Sequence, residues 1–556
     1  MFERLAAGRN EALYDALVFL ASMAAFWLVV PFGDFDTMIG DNVAQVAYWR
    51  ILGDQAFVGS VGTSSMKPGL ILLLGAAYDS SLALFHSTGL IKVVFAVAGA
   101  GLAVIVARIA RPVGGKIAGA GAVIYLMTQT PVPTMFSEGT SMLVFLPLLL
   151  WGVWLFSRGR DGAGAIVLCL AALIRIEAFA VLLWLALAEQ LFKRRWRAFF
   201  FSSAVVVITI ALTVLVYYRV QGSVARFNAG GPPVGYIFAR EPSSLTRFFG
   251  SLEYTVTSSA EMLFEQCGFP YLAASALLGL AFSRTSRFYL SLFGIPLFLI
   301  VYISTGQGNS ELRYFQFLAP VTAAFGASGI AQAFHWGSRF RPRAPGWLWL
   351  LAALGGAASF VLEAPKPVCS LSLIFIATAF GALLRQLPFV VPPLLLKWAW
   401  ALLFAAALVH ALKRDDWQPP LGRGAFTIDA LNLMKHSPVP RGQRVLTEDD
   451  LIYSVLVRDR TLFREAHALQ DFNIQSDAQR EKTLGSIDYI LVSRRKYVYY
   501  YLIYDPLARG ASDPFRLAIV NARRHRPVEL YGYSLVPIET SRAWIVLKVE
   551  PKHAAS

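Results

Sequence analysis

Charge is scarce in this chain, and acidic residues are scarcer than basic ones. Only 15% of the 556 residues are charged and 56% are hydrophobic, and the mean hydropathy is +0.54. Because an ordinary soluble domain carries about 25% charged residues, this composition excludes that class and predicts a polytopic α-helical membrane protein. The net charge is +15. Many of the basic residues form short clusters between hydrophobic runs, so we attribute the excess to membrane topology and expect no nucleic-acid partner.

Cysteine and histidine are also few. The chain has three cysteines, Cys169, Cys267 and Cys369, and they lie in or near apolar runs, so we expect neither a disulfide framework nor a thiolate metal site. The seven histidines are scattered and form no HExxH motif. We therefore expect that no cofactor is required, and leave open a divalent metal ion. No small-residue cleavage site clearly follows the first apolar run, which predicts a membrane anchor rather than a signal peptide.

Hydrophobic runs and basic clusters together predict the topology. Runs long enough to cross a bilayer recur from Ala12 to about Leu412, whereas the tail from Lys413 to Ser556 is mixed and charged. This predicts a membrane domain over 1–412 and a second domain over 413–556. If basic loops face the cytoplasm, about thirteen spans result, provided that the apolar segment 70–85 stays on the outer side as a surface helix. The loop 33–87 and the tail then both lie outside, on the periplasmic side of a bacterial inner membrane.

The remaining outer segments carry weaker patterns. A second outer loop contains Glu138, and the longest, 219–261, is rich in Gly and Pro near GGPPVGY, which predicts irregular structure. In the tail, alternating apolar residues predict strands at 444–450 and 487–493 and a final hairpin between 528 and 551, with a helix at 451–457. We interpret the tail as a small α/β domain.

The stretch from Gly33 to Gly69 gathers acids and a lysine beside the first span. Its acids are Asp34, Asp36, Asp41 and Asp54, and it ends in Lys67-Pro68-Gly69. After Asp41, apolar residues recur at helical spacing, which makes Asp41 a candidate N-cap of an amphipathic helix. Capping alone does not explain the lysine that follows, so the stretch is a candidate site.

The order of these residues resembles the first periplasmic loop of the GT-C glycosyltransferases. The series is Asp41, Arg50, Gly53-Asp54 and Lys67-Pro68, and the likeness continues at Glu138, at LIRIEAF (173–179) and at ELRYFQFLAP (311–320). It is similar above all to lipid A aminoarabinose transferases and to protein O-mannosyltransferases, galacturonosyl and arabinofuranosyl transferases. Asn42, Gly69 and Glu138 depart from the pattern of the nearest relatives, so the resemblance implies the superfamily rather than a particular sugar.

This resemblance implies an inverting transfer of a monosaccharide from a polyprenyl phosphate to a hydroxyl group. Asp41 is the expected base, with Asp34 and Asp36 as alternatives, and Glu138 is expected to position the acceptor or to neutralise a cation. The expected ligands of the donor phosphate are Lys67, Arg313 and, by packing or hydrogen bonding, Tyr314. Arg50 is a further candidate, and Arg175 and Glu177 either pair with each other or belong to the site.

Acceptor and mechanism leave alternatives open at this point. The expected acceptor is a glycolipid, lipopolysaccharide or envelope glycan, with a protein as another candidate. One rival is a transferase or ligase of the same superfamily that uses a diphosphate-linked oligosaccharide. The other rival is a membrane transporter, for which charges in the middle of the spans and broken helices are expected. In this chain the acids lie mainly in outer loops and at helix ends.

Overall fold

A computed structural model gives the architecture. It describes residues 2–29, 40–53, 67–86, 89–129, 132, 135, 140–223, 244–263, 269–304, 312–339, 346–362, 366–386, 437, 439–447, 451–452, 455, 461–469, 472, 476–493, 526–540 and 544–552.

The first part of the chain is helical throughout its described length. The α-helices in chain order are α1 Phe2–Val29, α2 Gly40–Gly53, α3 Pro68–Phe85, α4 Gly89–Thr128, α5 Ser141–Ser157, α6 Asp161–Ile174, α7 Ala178–Leu185, α8 Trp196–Ser223, α9 Ser244–Glu261, α10 Phe269–Phe282, α11 Ser286–Tyr289, α12 Gly294–Ser304, α13 Leu318–Arg339, α14 Gly346–Val361 and α15 Lys366–Gln386. A π-helical turn, Ala186–Leu191, continues α7, and a 3₁₀ turn, Leu312–Phe315, precedes α13.

These helices coincide with the expected spans over most of their length. From the sequence we expect the second span at about 88–108 and the third at about 115–131. The boundary between them appears as a break inside α4, where Gly114 and Gly115 leave helical geometry and Gly115 takes a φ of +68°. Such a positive φ suits glycine, which lacks a Cβ. The thirteenth expected span, 388–412, lies outside the described residues.

Length and composition define a smaller set of helices that could each cross a bilayer alone. Among the described residues these are Pro68–Phe85, Leu90–Met127 and Trp196–Val216, with a fourth if the bent pair Ala273–Phe282 and Ser286–Val301 counts as one span. Other apolar helices are shorter: the 14 residues of α6 extend about 21 Å, less than the ~30 Å of a hydrocarbon core. The chain is thus a mostly helical membrane protein, and the total of about thirteen spans stays a prediction.

Acidic partners hold the basic clusters at one end of the helices. Arg108 and Arg111 in α4 donate to Asp15 in α1, with N–O distances of 2.7 and 2.6 Å, and Arg195 pairs with Asp161 at the start of α6. The ends of α6 and α5 that lie away from these basic loops meet around residues 141 and 175. The basic loops are therefore at the opposite helix ends from that meeting point.

One loop expectation was wrong. The Gly- and Pro-rich loop was expected to run from 219 to 261, but α8 continues to Ser223 and residues 244–261 form α9. Apart from Gly250, this later half contains neither Gly nor Pro, so helix formation is not opposed there. Its buried face is polar, with Ser251, Thr255 and Ser258 each at most 4% exposed. A prediction based on the spacing of apolar residues therefore does not detect this helix.

The tail forms a mixed six-stranded sheet. Its strands are β1 Gln443–Thr447, β2 Phe463–Ala468, β3 Tyr489–Ser493, β4 Val528–Leu530, β5 Tyr533–Thr540 and β6 Trp544–Pro551, in the order β2-β1-β3-β6-β5-β4. β1 is parallel to β2 and β3, and the remaining pairs are antiparallel. The expected strands and the pairing of the last two segments are thus present. Residues 451, 452 and 455 of the expected helix are helical, and the rest of it is not described.

Candidate functional site

Helix α2 packs closely on α3, and one aspartate links them. Trp49 Nε1 donates to Asp79 Oδ2 at 2.6 Å, and Arg50 Nη2 lies 3.4 Å from Asp79 Oδ1. The Arg50 guanidinium also lies over the Tyr78 ring, 5.1 Å from its centroid. The approach is so close that a Cβ on Gly75 would lie 2.6 Å from Trp49 Cβ. Arg50 therefore joins two helices, a structural task that accounts for its charge.

The backbone of Lys67 is fixed by α2. Its N–H donates to Gln45 Oε1 at 2.9 Å, and Gln45 is fully buried within α2. Lys67 occupies the N-cap position of α3, and its carbonyl accepts from the amides of Leu70 and Ile71. Pro68 follows at the first helical position, where its missing N–H costs nothing. The lysine is thus held at the start of a helix, where the positive end of the helix dipole adds to its own charge.

The start of α3 also touches the end of α6. A Cβ on Gly69 would lie 2.9 Å from Leu173 Cβ and 3.3 Å from Ile174 Cγ1. Only a glycine permits this approach without displacing α6. Because Arg175 follows Ile174 directly, the contact brings the Lys67 region and the Arg175 region to one place in the fold.

Arg175 and Glu177 form a buried ion pair between α6 and α7. Arg175 Nη2 and Nε both donate to Glu177 Oε1, at 2.6 and 3.1 Å, and Nη1 donates to Ser141 Oγ at 3.2 Å. Both residues are only 6% exposed. The pairing expected from the sequence is therefore present, and it ties α5 to the turn between α6 and α7.

Tyr314 completes this cluster from the 3₁₀ turn before α13. The Arg175 guanidinium carbon lies 4.9 Å from the centroid of the Tyr314 ring, a cation–π distance. The LRYF motif is thereby placed against LIRIE, two segments separated by more than 130 positions in the sequence. In this arrangement the Tyr314 ring supports Arg175, and Glu177 balances its charge.

Together these contacts form a polar centre at one end of the helices. It contains one lysine at a helix start, a balanced Arg–Glu pair and an aromatic ring, surrounded by apolar helices. Charges in such surroundings interact more strongly than in water. The arrangement can hold an anionic group at Lys67 while the Arg175–Glu177 pair keeps the surrounding elements in register.

Several candidate residues cannot be placed. Asp34, Asp36 and Glu138 lie outside the described residues. Asp41 is in the first turn of α2, which begins at Gly40, and Arg313 is in the Leu312–Phe315 turn, but their side chains lie outside the described part. α2 starts one residue before the expected N-cap, so the backbone of Asp41 belongs to the helix itself. Their roles stay predictions.

Three further residues hold the elements around this centre and were not candidates from the sequence: Gln45 at Lys67, Ser141 at Arg175, and Asp79 between α2 and α3. Asp79 is a lone acid within an apolar helix, and that isolation is a signal that the sequence contained. Gln45 lies among the apolar residues of α2, and a glutamine on a predicted buried face is a comparable signal. No pattern marks Ser141, since a serine at the start of a helix is common.

The described residues contain no group of three or more His, Cys, Asp or Glu side chains arranged to hold a metal ion. Several acids of the outer loops are not among them. Activity in the presence of a chelator therefore tests whether the protein needs a divalent metal ion.

Among solved structures, the chain is similar to an ArnT and to an archaeal oligosaccharyltransferase. One is ArnT from Cupriavidus metallidurans bound to undecaprenyl phosphate, with 15% identity, 97% of this chain and 98% of that chain covered, and a TM-score of 0.44. Another is the archaeal oligosaccharyltransferase AglB from Archaeoglobus fulgidus in complex with an inhibitory peptide and a dolichol-phosphate, with 11% identity, coverages of 98% and 74%, and a TM-score of 0.43.

No protein-family model and no curated protein matches the chain. Likenesses at 15% identity or less, with TM-scores under 0.5, do not assign an activity. The case for function therefore rests on the residues of this chain.

Proposed function

We propose that this chain is an inverting GT-C glycosyltransferase. It moves a monosaccharide from a polyprenyl-phosphate donor to a hydroxyl group of a glycolipid, lipopolysaccharide or envelope glycan. The reaction takes place on the periplasmic side of a bacterial inner membrane, where the tail domain also lies.

One observation carries the proposal. The start of α3 at Lys67 and the LIRIE turn, which the motif series names in separate parts of the sequence, meet through the contact of Gly69 with Leu173. The LRYF turn joins them through the ring of Tyr314. A series of motifs that converges at one end of the helices is what a single site requires.

The proposed reaction is a single displacement. The acceptor hydroxyl oxygen forms a bond to the anomeric carbon on the face opposite the phosphate, and the bond from that carbon to the phosphate oxygen breaks. The electron pair leaves with the polyprenyl phosphate, whose charge Lys67 and Arg313 stabilise. The hydroxyl proton passes to the carboxylate of Asp41. One displacement without a covalent intermediate inverts the anomeric centre.

Arg175 and Glu177 act in this proposal as positioning residues. The guanidinium of Arg175 already donates to Glu177 and Ser141, so it is not expected to bind the phosphate. Its task is to hold Tyr314 and the start of α5 beside the site.

The decisive test replaces the proposed base. Asp41→Asn in the purified full chain, reconstituted in liposomes with undecaprenyl-phosphate-linked sugars, is expected to lower kcat by about 10²- to 10⁴-fold. Binding of the donor and the melting temperature should stay near wild-type values. Asp34→Asn and Asp36→Asn in the same loop are the matched controls and should keep most of the activity.

Wild-type activity in a folded Asp41→Asn protein would disprove the assignment of the base. Two further results separate the rival functions. Activity that disappears with a chelator would favour the diphosphate-linked oligosaccharide transferase, and flux of a substrate across the membrane without glycosyl transfer would favour the transporter.

A further inference from the structure

Three buried polar side chains at the helix end that contains the Arg175–Glu177 pair have atoms with no hydrogen-bond partner among the described residues. These atoms are Nε2 and Oε1 of Gln129, Oγ1 of Thr140 and Oε1 of Gln316. The three residues are 5%, 5% and 7% exposed. Most buried polar groups in proteins are paired. Three such residues in one region of the fold therefore indicate a ligand that the chain itself does not supply.

Two of these residues are close in sequence to residues that contact the Arg175 guanidinium. Thr140 directly precedes Ser141, whose Oγ accepts from Arg175 Nη1 at 3.2 Å. Gln316 stands two positions after Tyr314, whose ring lies under the Arg175 guanidinium at 4.9 Å. Thr140, at the N-cap of α5, and Gln316, in the turn before α13, are thus close in sequence to residues that contact Arg175.

Gln129 begins the short connection that ends at Thr140. The Gln129 carbonyl accepts from the amide of Val132 at 3.1 Å, and the Met135 carbonyl accepts from the amide of Thr140 at 2.8 Å. These bonds close the connection between α4 and α5 at both ends. Gln129 is therefore held at the same end of the helices as Thr140.

The conformation of Thr140 supports a role beyond capping. It occupies the N-cap position of α5 with extended backbone angles, yet its side chain makes no capping hydrogen bond. A threonine at this position ordinarily accepts from an amide in the first turn. Here the hydroxyl is buried and has no partner in the described part of the chain, so it remains able to bind a ligand.

The chemistry of the group selects a neutral ligand with hydroxyl groups. Two carboxamides and one hydroxyl offer both donors and acceptors and carry no charge, and the neighbouring Arg175 is balanced by Glu177. From this we infer that Gln129, Thr140 and Gln316 bind the ring hydroxyls of a monosaccharide unit, either of the donor or of the acceptor. The inference rests on the proposed function and adds the residues that select the sugar.

The test compares lipids with and without a sugar. The purified full chain in nanodiscs is titrated with undecaprenyl phosphate and with undecaprenyl phosphate linked to glucose, mannose or arabinofuranose. The variants are Gln129→Leu, Gln316→Leu and Thr140→Val. The matched control is Gln190→Leu, because Gln190 is also a fully buried glutamine but lies 13 residues after Glu177 along α7 and its continuation, about 20 Å away.

The wild type is expected to bind one sugar-linked lipid at least about tenfold more tightly than the bare lipid. Each glutamine variant should reduce that preference by about tenfold, the effect of one lost hydrogen bond of ~1.4 kcal/mol. Affinity for bare undecaprenyl phosphate should stay within about twofold, and the Gln190→Leu control should behave as the wild type. If the three residues instead serve the acceptor, donor binding is unchanged and KM for purified lipopolysaccharide rises.

Variants that keep both the sugar preference and the acceptor KM of the wild type would overturn the inference, and would assign the unpartnered atoms to bound water. Failure of the proposed function looks different, because the wild type itself would then bind none of these lipids and transfer no sugar. Melting temperatures matched to the Gln190→Leu control exclude unfolding as the cause of a loss.

Discussion

The buried Arg175–Glu177 pair allows the sharpest test of the site's architecture. The side chains are 5% and 8% exposed and their closest N–O distance is 2.6 Å. In Glu177→Leu the guanidinium loses the acceptor of its hydrogen bonds from Nε and Nη2 while staying buried. Breaking one side of such a pair costs about 3–5 kcal/mol of folding free energy. The Tyr314 ring lies under the guanidinium in the wild type as well, so it does not offset this loss, and we expect Glu177→Leu to cost about 3–5 kcal/mol.

A double variant distinguishes the interaction between Arg175 and Glu177 from the separate contributions of the two side chains. In Arg175→Met/Glu177→Leu no charge is left unpaired, and replacement of a buried ion pair by apolar residues is often close to neutral. We expect the double variant to be less destabilised than either single one. Reversible unfolding of the full chain by SDS in mixed micelles, followed by tryptophan fluorescence, measures the three free energies.

An exposed pair of the same length supplies the control. Lys552 Nζ lies 2.6 Å from Glu529 Oε2, but the two side chains are 55% and 65% exposed. Glu529→Gln should therefore cost less than about 1 kcal/mol. If Glu177→Leu costs no more than this control, or if the two single losses simply add in the double variant, Arg175 and Glu177 are not a buried coupled pair, and the reasoning about the site is wrong.

Two further predictions concern the parts that hold the site and the tail. Gly75→Ala should destabilise the chain by about 1–3 kcal/mol, because the new Cβ meets the inner atoms of Trp49. The control Gly355→Ala has open space around the new Cβ and should be neutral or slightly stabilising. The same SDS titration compares the two variants, and equal effects would contradict the close packing of α2 on α3. In the tail, a hydrogen bond from the Arg444 side chain holds the pKa of Asp488 below its ordinary value. The stability that this lowered pKa provides is present above the unfolded-state pKa of about 3.9 and is lost as the pH falls through the folded-state value. The variant Asp488→Asn lacks this titrating carboxyl, so its free energy of unfolding should depend less steeply on pH below about pH 4 than that of the wild-type chain. An unchanged pH dependence would refute the role of this pair.

Periodicity and charge predicted most of the helices because both are local properties of the sequence. Basic clusters ended the predicted spans near Arg111 and Arg158, and the structure ends helices or breaks them close by, at Gly114 and Ser157. Helix α9 was not predicted, because Ser and Thr residues form its buried face. Its buried side is polar, and the contact that buries it involves another helix, which local composition does not report.

The sequence indicated charged residues that could belong to a site, but it did not indicate their partners. Arg50, Arg175 and Glu177 were all candidates, yet the structure gives Arg50 to Asp79 and Arg175 to Glu177. The first partner is 29 residues away in the sequence, and the choice between pairing and ligand binding depends on distances that spacing cannot supply. The lone acid at Asp79 was visible, but its partner was not.

The ion pairs of Arg50 and Arg175 limit the places at which the donor phosphate can bind. A phosphate attracts cations whose charge is not already balanced, and both Arg50 and Arg175 have carboxylates within 3.4 and 2.6 Å. A phosphate at either arginine would have to displace a carboxylate, and at Arg175 this would leave Glu177 buried without its partner, which is unfavourable. The hydrogen bond from the backbone N–H of Lys67 to Gln45 holds this residue at the start of α3, where the positive end of the helix dipole favours an anion. Within the proposed mechanism, the phosphate therefore binds at the start of α3, while Arg50 and Arg175 keep their carboxylate partners.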